Sequence, residues 1–220
     1  KFRLLPEVLM REGLAAPGTF HMPEPASTEA LRRVHDGAYV DAVAAGTVPR
    51  EIERAIGLPM TASVGLRGAT ATGGTMLAAK LAMEHGISCN TAGGSHHAGR
   101  AHGAGFCVFN DVAVAAADLL ARGLATRILI FDCDVHQGDG TADIFRDEPR
   151  VVTISLHGAN NYPPQKQTSV LDVPLPDGVM DQAYMAALRH SLHQANGLGP
   201  FDFVFYNGGV DPHAQDVLGR

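Results

Sequence analysis

Little in this sequence points to a secreted scaffold, a membrane span or a nucleic-acid binder. Its 220 residues include only three cysteines, Cys89, Cys107 and Cys133, far apart. An odd number without a framework spacing excludes a disulfide scaffold and suits reduced thiols, so a cytoplasmic setting is expected. No apolar run is long enough for a bilayer, and no signal-peptide pattern is present. Cations are scarce, with 17 Lys and Arg against 23 Asp and Glu. There is therefore no basic stripe to neutralise phosphates, and nucleic acid is not an expected partner. Linkers, repeats and low-complexity tracts are missing too. One domain over residues 1–220 is expected. It is read as incomplete at both termini, because the chain starts at Lys1 within a helical pattern and stops at Arg220 soon after a polar loop.

What is present is apolar content of 45%, enough for a sizeable core, and 11 histidines. Helical patterns cover 4–12, 31–35, 39–45, 60–85, 110–122, 141–146 and 180–194, with a loop at 15–25 and a turn near Pro49. Gly73-Gly74 weakens the middle of the long 60–85 pattern. Short apolar runs at 87–91, 127–131, 151–156, 170–173 and 202–206 read as strands. Strands alternating with helices imply an α/β fold, a parallel sheet with right-handed crossovers. Strands apolar throughout imply helices on both of its faces.

Ligands bind beyond the carboxyl ends of such strands. Four of the runs end in polar loops. These are Gly93-Gly94-Ser95-His96-His97, then Asp132-Cys133-Asp134-Val135-His136-Gln137-Gly138-Asp139, then Ser155-Leu156-His157, then Asn207-Gly208-Gly209-Val210-Asp211. In an extended chain Asp132, Asp134 and His136 share one face. Asp134, His136 and Asp211 would supply two oxygens and a nitrogen. Three protein ligands leave a position open, as in catalytic zinc sites. The donor set also suits Fe(II), Mn or Co. An Asp after a strand more commonly caps a loop, but three such ligands beside a histidine pair outweigh that reading. A metal-activated water needs a proton acceptor, and a histidine oriented by a carboxylate is suited to it. His96 and His97, with Asp132 and Asp139 unassigned, suggest two His–Asp pairs. His102, His157 and His213 fit supporting or exposed positions better. Asn110 suits the N-cap of the helix that follows, and Gly105-Phe106 could bring an aromatic ring to a pocket mouth.

Together these strings resemble the zinc-dependent histone deacetylase family, with its arginase/deacetylase fold. The matching pieces are Gly93–His97 with Ala98, Gly105-Phe106 through Asn110-Asp111, Asp132 through Thr141, Ser155–His157, and Gly208 through Asp211. His136-Gln137, Asn161-Tyr162-Pro163 and the stretch 171–177 look most like the class IV type and its bacterial relatives. The resemblance implies a three-layer α/β/α domain whose last strands lie beyond residue 220. It implies Asp134, His136 and Asp211 as ligands of one Zn2+, with Fe2+ as the alternative. It makes His97 the general base and acid, oriented by Asp139, and makes His96 with Asp132 a charge stabiliser. Gly105, Phe106 and Tyr162 would line the substrate channel. One potassium site would use Asp132, Asp134, His136, Ser155 and Leu156, and a second would lie near Phe145, Glu148 and Val151.

The expected activity is hydrolysis of an acyl-lysine or a related acyl-amine, on a protein, a peptide or an acetylated small amine. Two departures stand out. Gln137 replaces the second histidine of many relatives, which reads as a subgroup difference. The family's oxyanion-stabilising tyrosine would fall beyond residue 220, so the 220-residue piece alone is expected to be inactive and poorly stable. A binuclear-manganese ureohydrolase of the same fold is the competing enzyme reading. Gly138 and His213 stand where it would need further bridging carboxylates, which favours one metal. A non-catalytic acyl-lysine binding module is the third reading.

Overall fold

The computed structural model describes residues 4–219. Helices α1 (Leu4–Arg11), α2 (Thr28–Arg32), α3 (Gly37–Ala45), α4 (Arg50–Ile56), α5 (Ala62–His85) and α6 (Asp111–Ala121) come first. Then follow β1 (Ile128–Asp132), α7 (Asp139–Ile144), β2 (Val151–Gly158), β3 (Leu171–Leu175), α8 (Asp181–Leu198) and β4 (Phe203–Asn207). The four strands form one parallel sheet in the order β3-β2-β1-β4. The register pairs Asp132 with Ser155 on one side and with Asn207 on the other, so three polar strand ends lie side by side.

Period-two burial builds the layers. Ile128 and Ile130 pack into the larger apolar cluster, with residues of α2 to α6 and Phe205. Leu129 and Phe131 face the opposite side, where Val152, Ile154 and Leu156 meet residues of α8. All five residues of β1 are buried, as a strand covered on both faces requires. The result is the expected three-layer α/β/α arrangement. No described helix is long and apolar enough to cross a membrane.

Local signals explain the helix starts. Ser27 Oγ accepts from Ala30 N–H at 3.2 Å, Thr61 Oγ1 from Val64 N–H at 3.3 Å, and Asn110 Oδ1 from Ala113 N–H at 3.0 Å. Gly73 does not break α5. A side chain there would collide with the Glu24 carbonyl, its Cβ falling 1.9 Å from that oxygen. The glycine lets the 24–26 segment lie against the helix, where Ala26 N–H bonds Ala69 O at 2.9 Å.

Two expectations need correction. Residues 87–91 are not a strand: they join no ladder among the described residues, and Ile87 is 82% exposed. Asn90 instead donates to Ala71 O at 3.0 Å and Thr75 Oγ1 at 2.8 Å, fastening the segment to α5 by its side chain. The region near Pro49 is more than a turn. Pro49 is the N-cap of α4, Glu51 and Glu53 occupy its first turn, and Gly57 ends it at φ 74°. β3 also starts one residue later and runs two residues further than expected, and α8 extends to Leu198.

Candidate metal centre and flanking histidines

β1 ends at Asp132, and the chain then turns across the tops of β2 and β4. Asp132 Oδ1 accepts from Asp134 N–H at 3.0 Å and from Asn207 Nδ2 at 3.0 Å. Asp134 Oδ1 accepts from His136 N–H at 2.9 Å, which folds His136 back over the strand end. Asp211 arrives from the loop after β4, and its Oδ1 accepts from Val135 N–H at 3.1 Å. Backbone amides thus orient all three carboxylates.

Asp134, His136 and Asp211 converge. One ligand atom each from Asp134, His136 and Asp211 lies within 4.8 Å of the others. His136 Nδ1 is 2.8 Å from Asp134 Oδ1 and 3.1 Å from Asp211 Oδ2. Hydrogen bonds to Asp134 and then Asp211 lift the His136 imidazole to about 9, against the opposing effect of burial. Two carboxylates sharing one imidazole proton are an arrangement a divalent cation can replace. Two hard oxygens and one nitrogen also match the donors such ions take. The residues present thus fit a metal.

The histidine pair sits beside this cluster. Ser95 N–H donates to Asp111 Oδ1 at 2.7 Å, Gly94 N–H to Asp111 Oδ2 at 3.2 Å, and Asn110 Nδ2 to Ala98 O at 3.1 Å. The first turn of α6 therefore grips the loop on both sides of His96 and His97. Both rings are buried, with centroids 4.1 Å apart. His96 Nδ1 lies 2.6 Å from Asp132 Oδ2, and His97 Nδ1 lies 2.6 Å from Asp139 Oδ1. His96 Nε2 is 3.8 Å from Asp134 Oδ1, and the His97 ring centroid is 5.7 Å from that of His136. Burial works against a charged His96, but Asp132 outweighs it and sets the group at about 9. Burial holds His97 below its ordinary value despite the bond to Asp139.

Gly105 and Tyr162 border His97 directly. The Tyr162 ring stands edge-on to it, with centroids 4.8 Å apart at 89°. A Cβ on Gly105 would meet His97 Cδ2 at 2.5 Å, so only glycine fits there. Phe106 lies further out, 62% exposed, at φ 66°. A bulky residue in this left-handed region needs restraint. The amides of Gly105 and Phe106 supply it by donating to Ala55 O at 3.0 Å and Ile56 O at 2.8 Å, at the end of α4.

Of the positions assigned to potassium, Ser155 Oγ is 3.0 Å from His157 Nδ1, and Leu156 is buried beside it. Phe145 O and Glu148 O accept the amides of Glu148 and Val151, at 3.1 Å each. The Glu148 carboxylate turns to Arg150, at 2.6 and 2.8 Å. His157 is buried, whereas His102 and His213 are exposed. Sequence reasoning left Asp111 and Asn207 without a role, although both stand in the motif strings. It also passed over α4, whose signal was Pro49 ahead of two glutamates and Gly57.

The histone deacetylase domain family matches residues 1–220. An uncharacterized protein of Picosynechococcus sp. is 49% identical over the whole chain, which covers 73% of that protein. Acetoin utilization protein AcuC of Bacillus subtilis is 30% identical over 91% of the chain, which covers 57% of that relative. The crystal structure of an HDAC homolog from Aquifex aeolicus superposes with a TM-score of 0.86 at 26% identity, over 98% of this chain and 63% of its own.

Proposed function

This chain belongs to the histone deacetylase domain family, and on that premise we propose that it hydrolyses the amide bond of an acyl-lysine or a related acyl-amine with the help of one divalent metal. The observation that carries the reading is the convergence of Asp134, His136 and Asp211 beside two buried His–Asp pairs. Zn2+ bound there, or Fe2+ in its place, would polarise the amide carbonyl and acidify a water. His97 is neutral when the reaction begins. Its Nδ1–H is held by Asp139, which leaves Nε2 to take the proton from the attacking water. The same nitrogen returns that proton to the departing amine. His96, kept cationic by Asp132, faces the negative charge that builds on the carbonyl oxygen. Gly105 and Tyr162, which border His97, would line the approach of an acyl-lysine side chain.

The test uses the full-length protein, stripped of metal and reloaded with Zn2+, Fe2+ or Mn2+. Acetate release from an acetyl-lysine peptide or an acetylated polyamine should require the metal, at one ion per chain. Two manganese ions per chain with hydrolysis of a guanidine would establish the ureohydrolase reading. Binding of the acyl peptide with no cleavage under any metal would make the domain a binding module.

A further inference from the structure

Gln137 follows His136, and none of the steps above uses it. Its side chain is nevertheless 1% exposed, among the most completely buried in the protein. Nε2 donates to Gln167 O at 2.8 Å and to Asp172 Oδ1 at 2.8 Å, while Oε1 accepts Gln167 N–H at 2.8 Å. One amide thus grips both backbone groups of Gln167, as a neighbouring strand would. A buried amide so engaged has a single orientation. Asp172 Oδ2 takes Ser169 N–H at 2.8 Å, extending the grip to the end of the loop.

The gripped segment carries Tyr162. Residues 159–170 form no helix or strand, so specific bonds must hold them. Lys166 Nζ donates to Asn161 O at 2.5 Å and to Pro163 O at 2.6 Å, the carbonyls on either side of Tyr162. Gln137 anchors the residue next to that lysine. The loop is thereby tied to the same short turn that carries His136, and Tyr162 is held 4.8 Å from His97 and 6.3 Å from His136, centroid to centroid.

We propose that Gln137 is a positioning residue that locks the Tyr162 loop against His97 and so sets which acyl groups pass to the metal cluster. The specificity part rests on the deacylase reading above. Gln137→Glu keeps size and acceptor but faces Asp172 and the Gln167 carbonyl with a carboxylate. Lys166→Met releases the same loop from the solvent side and guards against a failure of the first variant to fold.

Both variants are made in the full-length protein, alone and with Tyr162→Ala. They are followed by amide hydrogen exchange, metal content, and kcat and KM for acetyl- and butyryl-lysine peptides. Exchange of the 162–169 amides should quicken by about tenfold in Gln137→Glu, and less in Lys166→Met, with β1 and the bound metal unchanged. KM for the acetyl peptide should rise by about fivefold with kcat nearly kept, and the acetyl-over-butyryl preference should shrink. Once Tyr162 is Ala, Gln137→Glu should add less than about twofold, because the two act as one unit. Unchanged loop exchange, loss of metal in step with activity, or an equal kinetic penalty in both backgrounds overturns the proposal. If the unsubstituted protein cleaves no acyl-amine, the deacylase reading falls, and the exchange measurement alone decides the clamp.

Discussion

His96 and His97 are adjacent, touch ring to ring, and each sets Nδ1 2.6 Å from a carboxylate. Their protonation nevertheless differs. Burial opposes charge on both. At His96, Asp132 outweighs burial, and Asp134 and Asp139 add to it, so the imidazole sits at about 9. At His97, burial prevails over Asp139, and the positive neighbours His96 and His136 push the same way. A carboxylate at a given distance therefore fixes a histidine's orientation, while the wider ring of charges fixes its proton. The surroundings thus favour the charged form at His96 and the neutral form at His97.

The hardest way to break this asymmetry is to remove one ring at a time. In the full-length protein, His97→Ala should lower kcat by about a hundredfold to ten-thousandfold with metal content unchanged, because a general base is lost. His96→Ala should cost less. It should also shift the acid limb of kcat/KM upward in pH, since a positive neighbour that holds His97 down is gone. Equal losses from the two substitutions, or metal loss from His97→Ala, would contradict the division of labour. Metal analysis and pH–rate profiles read both arms.

Much of this site is legible before any coordinates. Spacing singled out Asp132, Asp134 and His136, although β1 ends at Asp132 and a turn, not an extended strand, brings the other two over its end; the strand-end rule gathered four loops, one of them after the 87–91 run that forms no strand. Their meeting depends only on parallel neighbours in register, which alternating apolar runs imply. Less legible were features whose partners are backbone groups or distant in sequence. Asp111 holds the His96 loop through amides, a job an N-terminal helix carboxylate does not announce. The 87–91 run sits where a strand would fit, but only Ile87 and Cys89 in it are apolar, and a strand needs a neighbour that periodicity cannot supply. Gly73-Gly74 looked like a flaw in α5 because propensity counts backbone freedom and not the segment that must pack there.

A gentler change acts on the orienting partner. Asp139→Asn removes the negative charge that raises His97 and weakens the hold on its tautomer. Turnover near neutral pH should fall by about tenfold to a hundredfold, as for other orienting partners. The acid limb should move down in pH, opposite to the shift from His96→Ala. Opposite shifts from two neighbours of one ring would sharpen the comparison, and shifts of the same sign would break it.

His35 extends the comparison to a buried histidine with no carboxylate against its ring. Nδ1–H donates to Gly99 O at 2.8 Å and Nε2 accepts Asn110 N–H at 3.0 Å, so both nitrogens are filled by the backbone of the two segments that frame the site. Burial lowers this group from 6.5 to about 4, and the carbonyl contacts only partly oppose it. The unfolded chain therefore binds the proton first. Stability is fully present above pH 6.5 and drains away as pH falls toward 4, by about 3 kcal/mol in all. This is the opposite sense from a histidine raised by a carboxylate, whose contribution fades as pH rises. Urea midpoints from pH 7 to pH 4 should fall more steeply for the unsubstituted protein than for His35→Gln, which begins less stable but has no imidazole to charge. Parallel curves would mean that His35 titrates in the fold as it does in the unfolded chain, and that burial without a carboxylate does not hold the group down here.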